Sequence, residues 1–306
     1  PRPKVDVAPD SFNTTMVRNA EVSPDGTKVV FESAGRLYIK NLPNGEPRLL
    51  TRDADDHFEY DPSWSRDGRN IVFVTWDDEE LANGHYHAPR FSPDGKSVVY
   101  FANSGGYLTS ADWSLQTGVF QVAASGGPSR LITDDGSNPH FGSSNDRLFV
   151  TRYGEGGRQL VSIDLNGEKP RIHAVGEHLV QYEVAPDERH FAFRQNYNIY
   201  VLPLPPGGKP LSVSTSVSSV TMTRASGDGG NYPHWSGDSS SLAWTLGATL
   251  YNASIDELFA VADDEGEGGD EAPADGVSLS MKSMSRARLS FRGSSTHTRT
   301  VPPVLA

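Results

Sequence analysis

The chain has 306 residues, of which 36% are hydrophobic and 22% are charged, and its formal net charge is -12 at pH 7. This length suits one large domain or two small ones, and the negative charge argues against nucleic acids and anionic membrane surfaces as partners, because polyanions repel an acidic protein. The absence of cysteine excludes disulfides and thiolate metal sites.

The N-terminal region gives three expectations. The chain begins at Pro1 with neither an initiator Met nor a secretory h-region, so a processed or excised segment is expected. No apolar run approaches the length of a membrane span, which predicts no membrane insertion. Residues 1–18 are interpreted as a lead-in or as a strand that closes the fold.

From there on, one turn motif recurs along most of the chain. Its copies are Ser23-Pro-Asp-Gly26, Ser65-Arg-Asp-Gly68, Ser92-Pro-Asp-Gly95, Gly142-Ser-Ser-Asn145, Ala185-Pro-Asp-Glu188 and Ser236-Gly-Asp-Ser239. Pro presets φ for a type I turn, Asp bonds the backbone ahead of it, and Gly tolerates the left-handed residue that closes a bulged hairpin. Each copy is therefore predicted to join two strands, and the Asp residues are interpreted as turn residues rather than ligands.

Strand-like segments flank every turn. An apolar residue precedes each one: Val22, Trp64, Phe91, Phe141, Val184 or Trp235. The runs that follow, at 29–31, 71–73, 98–100, 148–150, 191–193 and 242–244, are rich in β-branched and aromatic residues, which indicates strands. Several copies add a third strand and a turn into a fourth, as in Arg36-Leu-Tyr-Ile-Lys40 followed by Leu49-Leu-Thr51.

The spacing of the turns favours one architecture. They begin at residues 23, 65, 92, 142, 185 and 236, and all but one of the intervals fit a repeat of about 40–50 residues, the range of propeller blades. We therefore predict an all-β fold, a β-propeller of about six four-stranded blades over residues 19–260, with an irregular β-sandwich as the alternative. The short interval after Ser65 leaves only Trp76 to Ala88 for two further strands, so the second blade is predicted to be incomplete.

The C-terminal residues 261–306 have a different composition. Asp263 to Asp275 holds seven carboxylates among Gly, Ala and Pro, which predicts an acidic linker, and the remainder is predicted to be a disordered tail. The carboxylates lack the alternating order and closing Glu of a calcium-binding EF-hand loop.

The residue just before each apolar anchor forms the candidate site. These positions hold Glu21, Ser63, Arg90, His140, Glu183 and His234. Because equivalent positions of a propeller surround its axis, we predict that Glu21, Arg90, His140, Glu183 and His234 line the central channel as a mixed-charge funnel. The alternative is that these side chains bond neighbouring blades.

The repeat resembles that of TolB-type propellers. Longer strings, Glu59-Tyr-Asp-Pro-Ser-Trp-Ser-Arg-Asp-Gly68, Gly106-Tyr-Leu-Thr-Ser110, Asp134-Asp-Gly-Ser-Asn-Pro139 and Gly229-Gly-Asn-Tyr-Pro-His-Trp-Ser236, are similar to the propeller that precedes the catalytic barrel in bacterial amidohydrolase-related proteins. The resemblance covers roughly residues 10–260. It implies a periplasmic or secreted protein, and a divalent metal such as zinc would belong to the barrel that follows the propeller in that family.

Little in the sequence points to chemistry within the chain itself. His85 and His87 have the His-x-His spacing of the histidine pair that binds metal in amidohydrolase barrels. No third ligand is recognisable, so a loop with two histidines is favoured and no metal site or cofactor is predicted. No Gly-x-Ser-x-Gly elbow or P-loop occurs, so no catalytic residue is predicted and a self-sufficient peptidase of the prolyl-oligopeptidase kind is rejected.

Two functional hypotheses remain. The first is a non-catalytic propeller module of an amidohydrolase-related hydrolase acting on C–N bonds, which serves substrate access or docking, so that its partner is the catalytic domain of the same parent protein. The second is a free-standing TolB-like propeller that binds a protein or peptide ligand.

Overall fold

The structure, a computed structural model, describes residues 11–51, 57–76, 85–103, 117–213, 222–264, 275–279, 281–285 and 298–301. We number the repeats in chain order as units 1 to 6. Unit 1 is a sheet of β2 (Arg18–Val22), β3 (Lys28–Ser33), β4 (Arg36–Asn41) and β5 (Arg48–Leu49), preceded by β1 (Ser11–Thr14). Unit 2 provides β6 (Phe58–Trp64) and β7 (Ile71–Trp76). Unit 3 contains β8 (His85–Phe91), β9 (Ser97–Asn103), β10 (Gly118–Ala123) and β11 (Arg130–Thr133).

The second half of the chain forms three larger sheets and a helix. Unit 4 contains β12 (Ser137–Phe141), β13 (Arg147–Gly154), β14 (Gly157–Asp164), β15 (Arg171–Gly176) and β19 (Leu211–Ser212), which pairs with β15 in parallel. Unit 5 contains β16 (Leu179–Val184), β17 (His190–Gln195), β18 (Asn198–Pro203) and β20 (Thr223–Arg224). Unit 6 contains β21 (Asn231–Trp235), β22 (Ser241–Leu246), β23 (Thr249–Ser254) and β24 (Asp275–Ser278), with α1 (Ile255–Asp264) between its last two strands.

The predicted all-β propeller is confirmed, but the number of blades is five rather than about six. Units 1, 3, 4, 5 and 6 form sheets of four or five strands. Among the described residues, unit 2 forms a three-stranded sheet, whose third strand is β26 (Thr298–Val301) paired with β7. This sheet lies between units 1 and 3, since β6 contacts both β2 and β8. The physical reason for the lower number is the short interval between the turns at Ser65 and Ser92, which leaves unit 2 fewer strands of its own.

The hydrophobic core is divided among the gaps between neighbouring sheets. Phe149 and Leu160 of unit 4 pack against Tyr182 and Phe191 of unit 5, whereas Leu148, next to Phe149, packs toward unit 3. Successive side chains of a strand point to opposite faces, and both faces of each sheet are covered by a neighbour. This is why the second strand of each unit is an unbroken apolar run rather than an alternating one.

The repeated turn has the predicted role. In unit 1, the Ser23 hydroxyl donates to the Asp25 carboxylate (2.6 Å) and accepts from the backbone N–H of Lys28 (2.9 Å). Asp25 also accepts from the backbone N–H of Thr27 (3.1 Å), and Gly26 has a φ of 72°. The hydrogen bond from Ser23 lowers the pKa of Asp25 below its usual range. The turns of units 2, 3 and 6 repeat the Ser-to-Asp bond.

Parts of both termini join the sheets. Within the C-terminal segment that the sequence predicts to be a linker and disordered tail, β24 pairs with β23, β25 (Met281–Ser285) pairs with β1, and β26 pairs with β7. The end of α1 and Leu279 are the other described parts of this segment, and its remaining residues, the first ten residues and the string at 106–110 lie outside the described residues. In the part of the chain that the structure describes, no helix is long and apolar enough to span a membrane.

Candidate functional site

The candidate residues lie on the innermost strands β2, β8, β12, β16 and β21, close to the axis. Glu21, Arg90, His140, Glu183 and His234 line one cavity of about 120 Å³ together with residues of the lower face, which we define as the end where the Ser-x-Asp-Gly turns lie. Glu21, Arg90 and His234 also line a second cavity of about 100 Å³ toward the upper face, where the innermost strands begin. The five residues, which we call the axial ring, therefore lie between two small cavities.

Arg90 joins two carboxylates across the axis. Its Nη1 lies 3.6 Å from Oε2 of Glu21 in unit 1, and its Nη2 lies 4.0 Å from Oε1 of Glu183 in unit 5. Burial disfavours the charge of Arg90, but the carboxylates outweigh burial and raise its pKa. Burial raises the pKa of Glu21, against the attraction of Arg90. The ring thus contains a partly buried ion triad in which one cation is shared by two anions.

Three members of the axial ring accept hydrogen bonds from the next unit. Oε1 of Glu21 accepts from the backbone N–H of Trp64 in unit 2 (2.8 Å) and from the hydroxyl of Ser63 (3.2 Å). His140 accepts in the same way from the N–H of Val184. In each case the donor is the apolar anchor before the turn, so the same position in the repeat forms the same inter-unit bond.

His234 extends this pattern to the ends of the ring. Its Nε2 accepts from the backbone N–H of Val22 at 2.8 Å, which connects unit 6 to unit 1. Its Nδ1 lies 3.1 Å from the carbonyl oxygen of Tyr232, a position that only an Nδ1–H donor can use productively. The histidine is therefore neutral, with Nε2 as the acceptor.

Burial keeps both ring histidines uncharged near neutral pH. It lowers the pKa of His234 to about 4, although the bond to the Tyr232 carbonyl favours the protonated form. The pKa of His140 is lowered for the same reason, and His140 makes an equivalent Nδ1 contact with the carbonyl of Asn138 (3.1 Å). The charge of the axial ring is therefore that of Arg90 and the two glutamates.

The indoles at two anchor positions add bonds that the sequence analysis missed. Nε1 of Trp64 donates to the carbonyl oxygen of Glu21 (3.1 Å), and Nε1 of Trp235 donates to that of Glu183 (2.9 Å). The available signal was the presence of Trp at two of the six apolar anchors, since a buried indole N–H requires an acceptor.

A bulge in the innermost strands places the ring residues. Asn19, Ala88, Asn138 and Tyr232 each lie two residues before a member of the axial ring, Asp61 lies two residues before Ser63, and all five have φ between 46° and 55°. At each of these points the pairing with the second strand shifts register. A bulge of this kind re-aims the following side chain. The signal in the sequence was the proline that often follows, as in Pro139 and Pro233.

A second polar cluster borders the upper cavity. Asp61 lines it and accepts from the N–H of Ala88 (3.2 Å), and its Oδ2 lies 3.6 Å from Nδ1 of His87. Oε2 of Glu32 accepts from the side chain of Asn19 (3.2 Å), and burial together with the charge of Asp61 raises the pKa of Glu32 to about 7. Asp61 therefore lines the upper cavity directly, and Glu32, which binds the cavity-lining Asn19, holds its proton more tightly than an ordinary glutamate.

The predicted loop at His85 and His87 is wrong, since both histidines lie on strand β8, whose strand-forming residues pair with β9. His87 faces Asp61, whereas the ring of His85 packs on Trp76 with centroids 4.7 Å apart. Among the residues that the structure describes, no group of three or more His, Asp or Glu side chains is arranged to hold a metal ion.

The chain is similar to solved propellers at low sequence identity. TolB from Acinetobacter baumannii is 17% identical with a TM-score of 0.51 over 78% of this chain, and this chain spans 60% of that protein's length. Oligogalacturonate lyase in complex with manganese is 13% identical with a TM-score of 0.53, over 78% of this chain and 77% of that one. A gluconolactonase from Xanthomonas campestris is 12% identical with a TM-score of 0.55, over 79% and 86% of the two chains.

These likenesses concern the fold alone, because all three identities are low. No protein-family model matches the chain, and no curated protein matches it at the sequence level. The structure is a β-propeller, and the solved propellers that resemble it include TolB.

Proposed function

We propose that this chain is a non-catalytic propeller that docks a protein or peptide on its upper face. The observation that carries the proposal is the cluster of exposed aromatic side chains at the edge of that face. Tyr153 is 73% exposed and Tyr197 is 82% exposed, and both line one groove with Arg158 and Arg194. Tyrosine and arginine are enriched among the residues that dominate protein interfaces.

The contacts of the axial ring support a structural role for its side chains. Glu21, His140 and His234 accept from the backbone of the next unit, and Arg90 lies between Glu21 and Glu183. A group already bonded in this way would have to give up an inter-unit contact in order to bind a ligand. The upper rim, with its exposed tyrosines, requires no such exchange.

Selection of random twelve-residue peptides displayed on phage against the purified chain tests the docking function. Recovered peptides should bind with Kd at or below about 100 μM, and hydrogen exchange should show protection at the upper face. Failure to recover any binding peptide, or protection confined to the lower face, would contradict the proposal.

A second candidate is a propeller module of an amidohydrolase-related hydrolase, which is favoured by the strings at Glu59–Gly68 and Gly229–Ser236. The docked partner would then be the catalytic domain of the same parent protein, the divalent metal would belong to that domain, and the parent would be periplasmic or secreted. A full-length transcript without codons for metal-ligating histidines downstream would count against this parentage while leaving the docking function intact.

A further inference from the structure

A groove of about 430 Å³ lies off the axis on the upper face, between units 4 and 5. Tyr153 and Arg158 line it from the two strands joined by the β13–β14 turn, and Arg194 and Tyr197 line it from the β17–β18 hairpin. Val180, near the start of β16, completes its apolar lining. We call these five residues the tyrosine groove.

The tyrosine groove concentrates the exposed apolar surface of the described residues. Among all the described residues, six large apolar side chains are exposed. Three of them, Tyr153, Val180 and Tyr197, line this groove. Exposed tyrosines offer a large rigid contact area at a small cost in conformational entropy. A concentration of this kind marks a site for an apolar side chain of a partner.

The groove also carries positive charge held in place by neutral groups. Nη1 of Arg158 donates to the carbonyl of Val180 (2.8 Å), Nη2 donates to the hydroxyl of Tyr153 (2.5 Å), and the guanidinium carbon lies 4.8 Å from the centroid of the Tyr153 ring. These contacts orient the cation without neutralising it. The exposed carboxylate of Glu177 on the same groove offsets only part of the charge.

Arg194 does not use all of its hydrogen-bond donors within the described part of the chain. Its Nη1 donates to the side-chain oxygen of Asn231, but its buried Nε has no hydrogen-bond partner among the described residues. Neither Arg194 nor Arg158 forms an ion pair among the residues that the structure describes. Because a guanidinium N–H forms a strong charge-assisted hydrogen bond with a carboxylate, an acidic side chain of a ligand is the complementary group.

We infer that the tyrosine groove binds an extended peptide segment in which an acidic residue stands next to an aromatic or aliphatic one. This inference rests on the proposed docking function and specifies its ligand. The carboxylate pairs with Arg194, and the neighbouring apolar side chain packs against Tyr197 and Val180.

Fluorescence anisotropy with two labelled peptides tests the inference. The acidic probe is an eight-residue fluorescein-labelled peptide with two aspartates flanking a phenylalanine, and the control probe has two lysines in place of the aspartates. The acidic probe should bind at least about tenfold more tightly than the lysine probe. Arg194→Gln and Tyr197→Ser should each weaken it by about tenfold, whereas Arg130→Gln, an exposed arginine of unit 3, should leave its affinity unchanged.

The outcomes separate this inference from the proposed function. Equal affinity for the two probes, or an acidic probe that binds Arg194→Gln as tightly as the original protein, overturns the inference. If phage-selected peptides bind the upper face without protecting residues 177–181 and 194–197 from hydrogen exchange, docking stands and the groove assignment falls. If neither selected peptides nor the acidic probe bind, both proposals fail.

Discussion

The bond between His234 and the backbone of Val22 leads to a prediction whose size depends on pH. Replacing the imidazole by the apolar side chain in His234→Leu removes the acceptor for the Val22 N–H and with it the bond from unit 6 to unit 1. Leaving a partly buried donor without its partner costs about 1–2 kcal/mol of unfolding free energy at pH 7. A polar replacement is avoided, since a glutamine amide could take over the bond.

The pH dependence follows from the depressed pKa of His234. In the folded protein His234 stays neutral down to about pH 4, whereas in the unfolded chain it takes up a proton near pH 6.5. Between these values the unfolded state binds more protons, so the contribution of His234 to stability is complete above pH 6.5 and is lost as the pH falls toward 4. From pH 7 to pH 4.5 this loss amounts to about 2 kcal/mol.

His234→Leu cannot undergo this loss. Its deficit of about 1–2 kcal/mol at pH 7 should therefore shrink to near zero, or reverse, at pH 4.5. The difference between the two proteins is the informative quantity, because Glu32, whose pKa is raised to about 7, shifts the stability of both in the opposite direction.

Urea unfolding followed by tryptophan fluorescence at the two pH values measures the effect. His178→Leu, at an exposed histidine, is the matched control and should change stability by less than about 0.5 kcal/mol at both pH values. A deficit of His234→Leu that stays constant between pH 7 and pH 4.5 would refute the assignment of a neutral, buried imidazole.

Three further changes test other parts of the structure. Glu32→Gln should stabilise the protein at pH 8 and lose this advantage below pH 4.5, since a carboxyl with a raised pKa contributes stability at low pH that disappears as it ionises; equal gains at both pH values in thermal melts would contradict this. Arg90→Met leaves Glu21 and Glu183 without their shared cation and should cost about 3–5 kcal/mol in urea unfolding, whereas a cost below about 1 kcal/mol would mean that the triad contributes little. Ser254→Ala removes the cap of α1 and should cost about 1 kcal/mol, with faster amide exchange confined to that helix; exchange that rises evenly across unit 6 would argue against a local cap.

Helix α1 shows why one element was missed. The sequence analysis predicted an all-β fold over residues 19–260, yet Ser254 caps α1 through a bond from the N–H of Glu257 to its hydroxyl (3.1 Å), and the Glu257 carboxylate accepts from the N–H of Ser254 (3.2 Å). This is a capping box, and Ser-x-x-Glu is its sequence signature. The helix spans only ten residues, too few for a periodic pattern to stand out.

The candidate site was predictable in position but not in chemistry. Glu21, His140 and His234 precede equivalent turns, so the repeat alone placed them at the same level of the ring. Their protonation could not be predicted, because the neutral state of His234 depends on burial and on the carbonyl of Tyr232, which a bulge in β21 brings to Nδ1. For the tyrosine groove, the sequence contained only a weak signal, which is a tyrosine at a hairpin turn in both unit 4 and unit 5.

The sequence by itself determined the propeller class, the turns and the short second unit, because each depends on local rules: turn chemistry, the strand-forming residues around each turn and the length of the repeat. Only the tertiary structure decided that Arg90 is shared by glutamates of units 1 and 5 and that Tyr153 and Tyr197 border one groove. These features join residues that are far apart in the chain, and their distances are set by how neighbouring sheets pack around the axis.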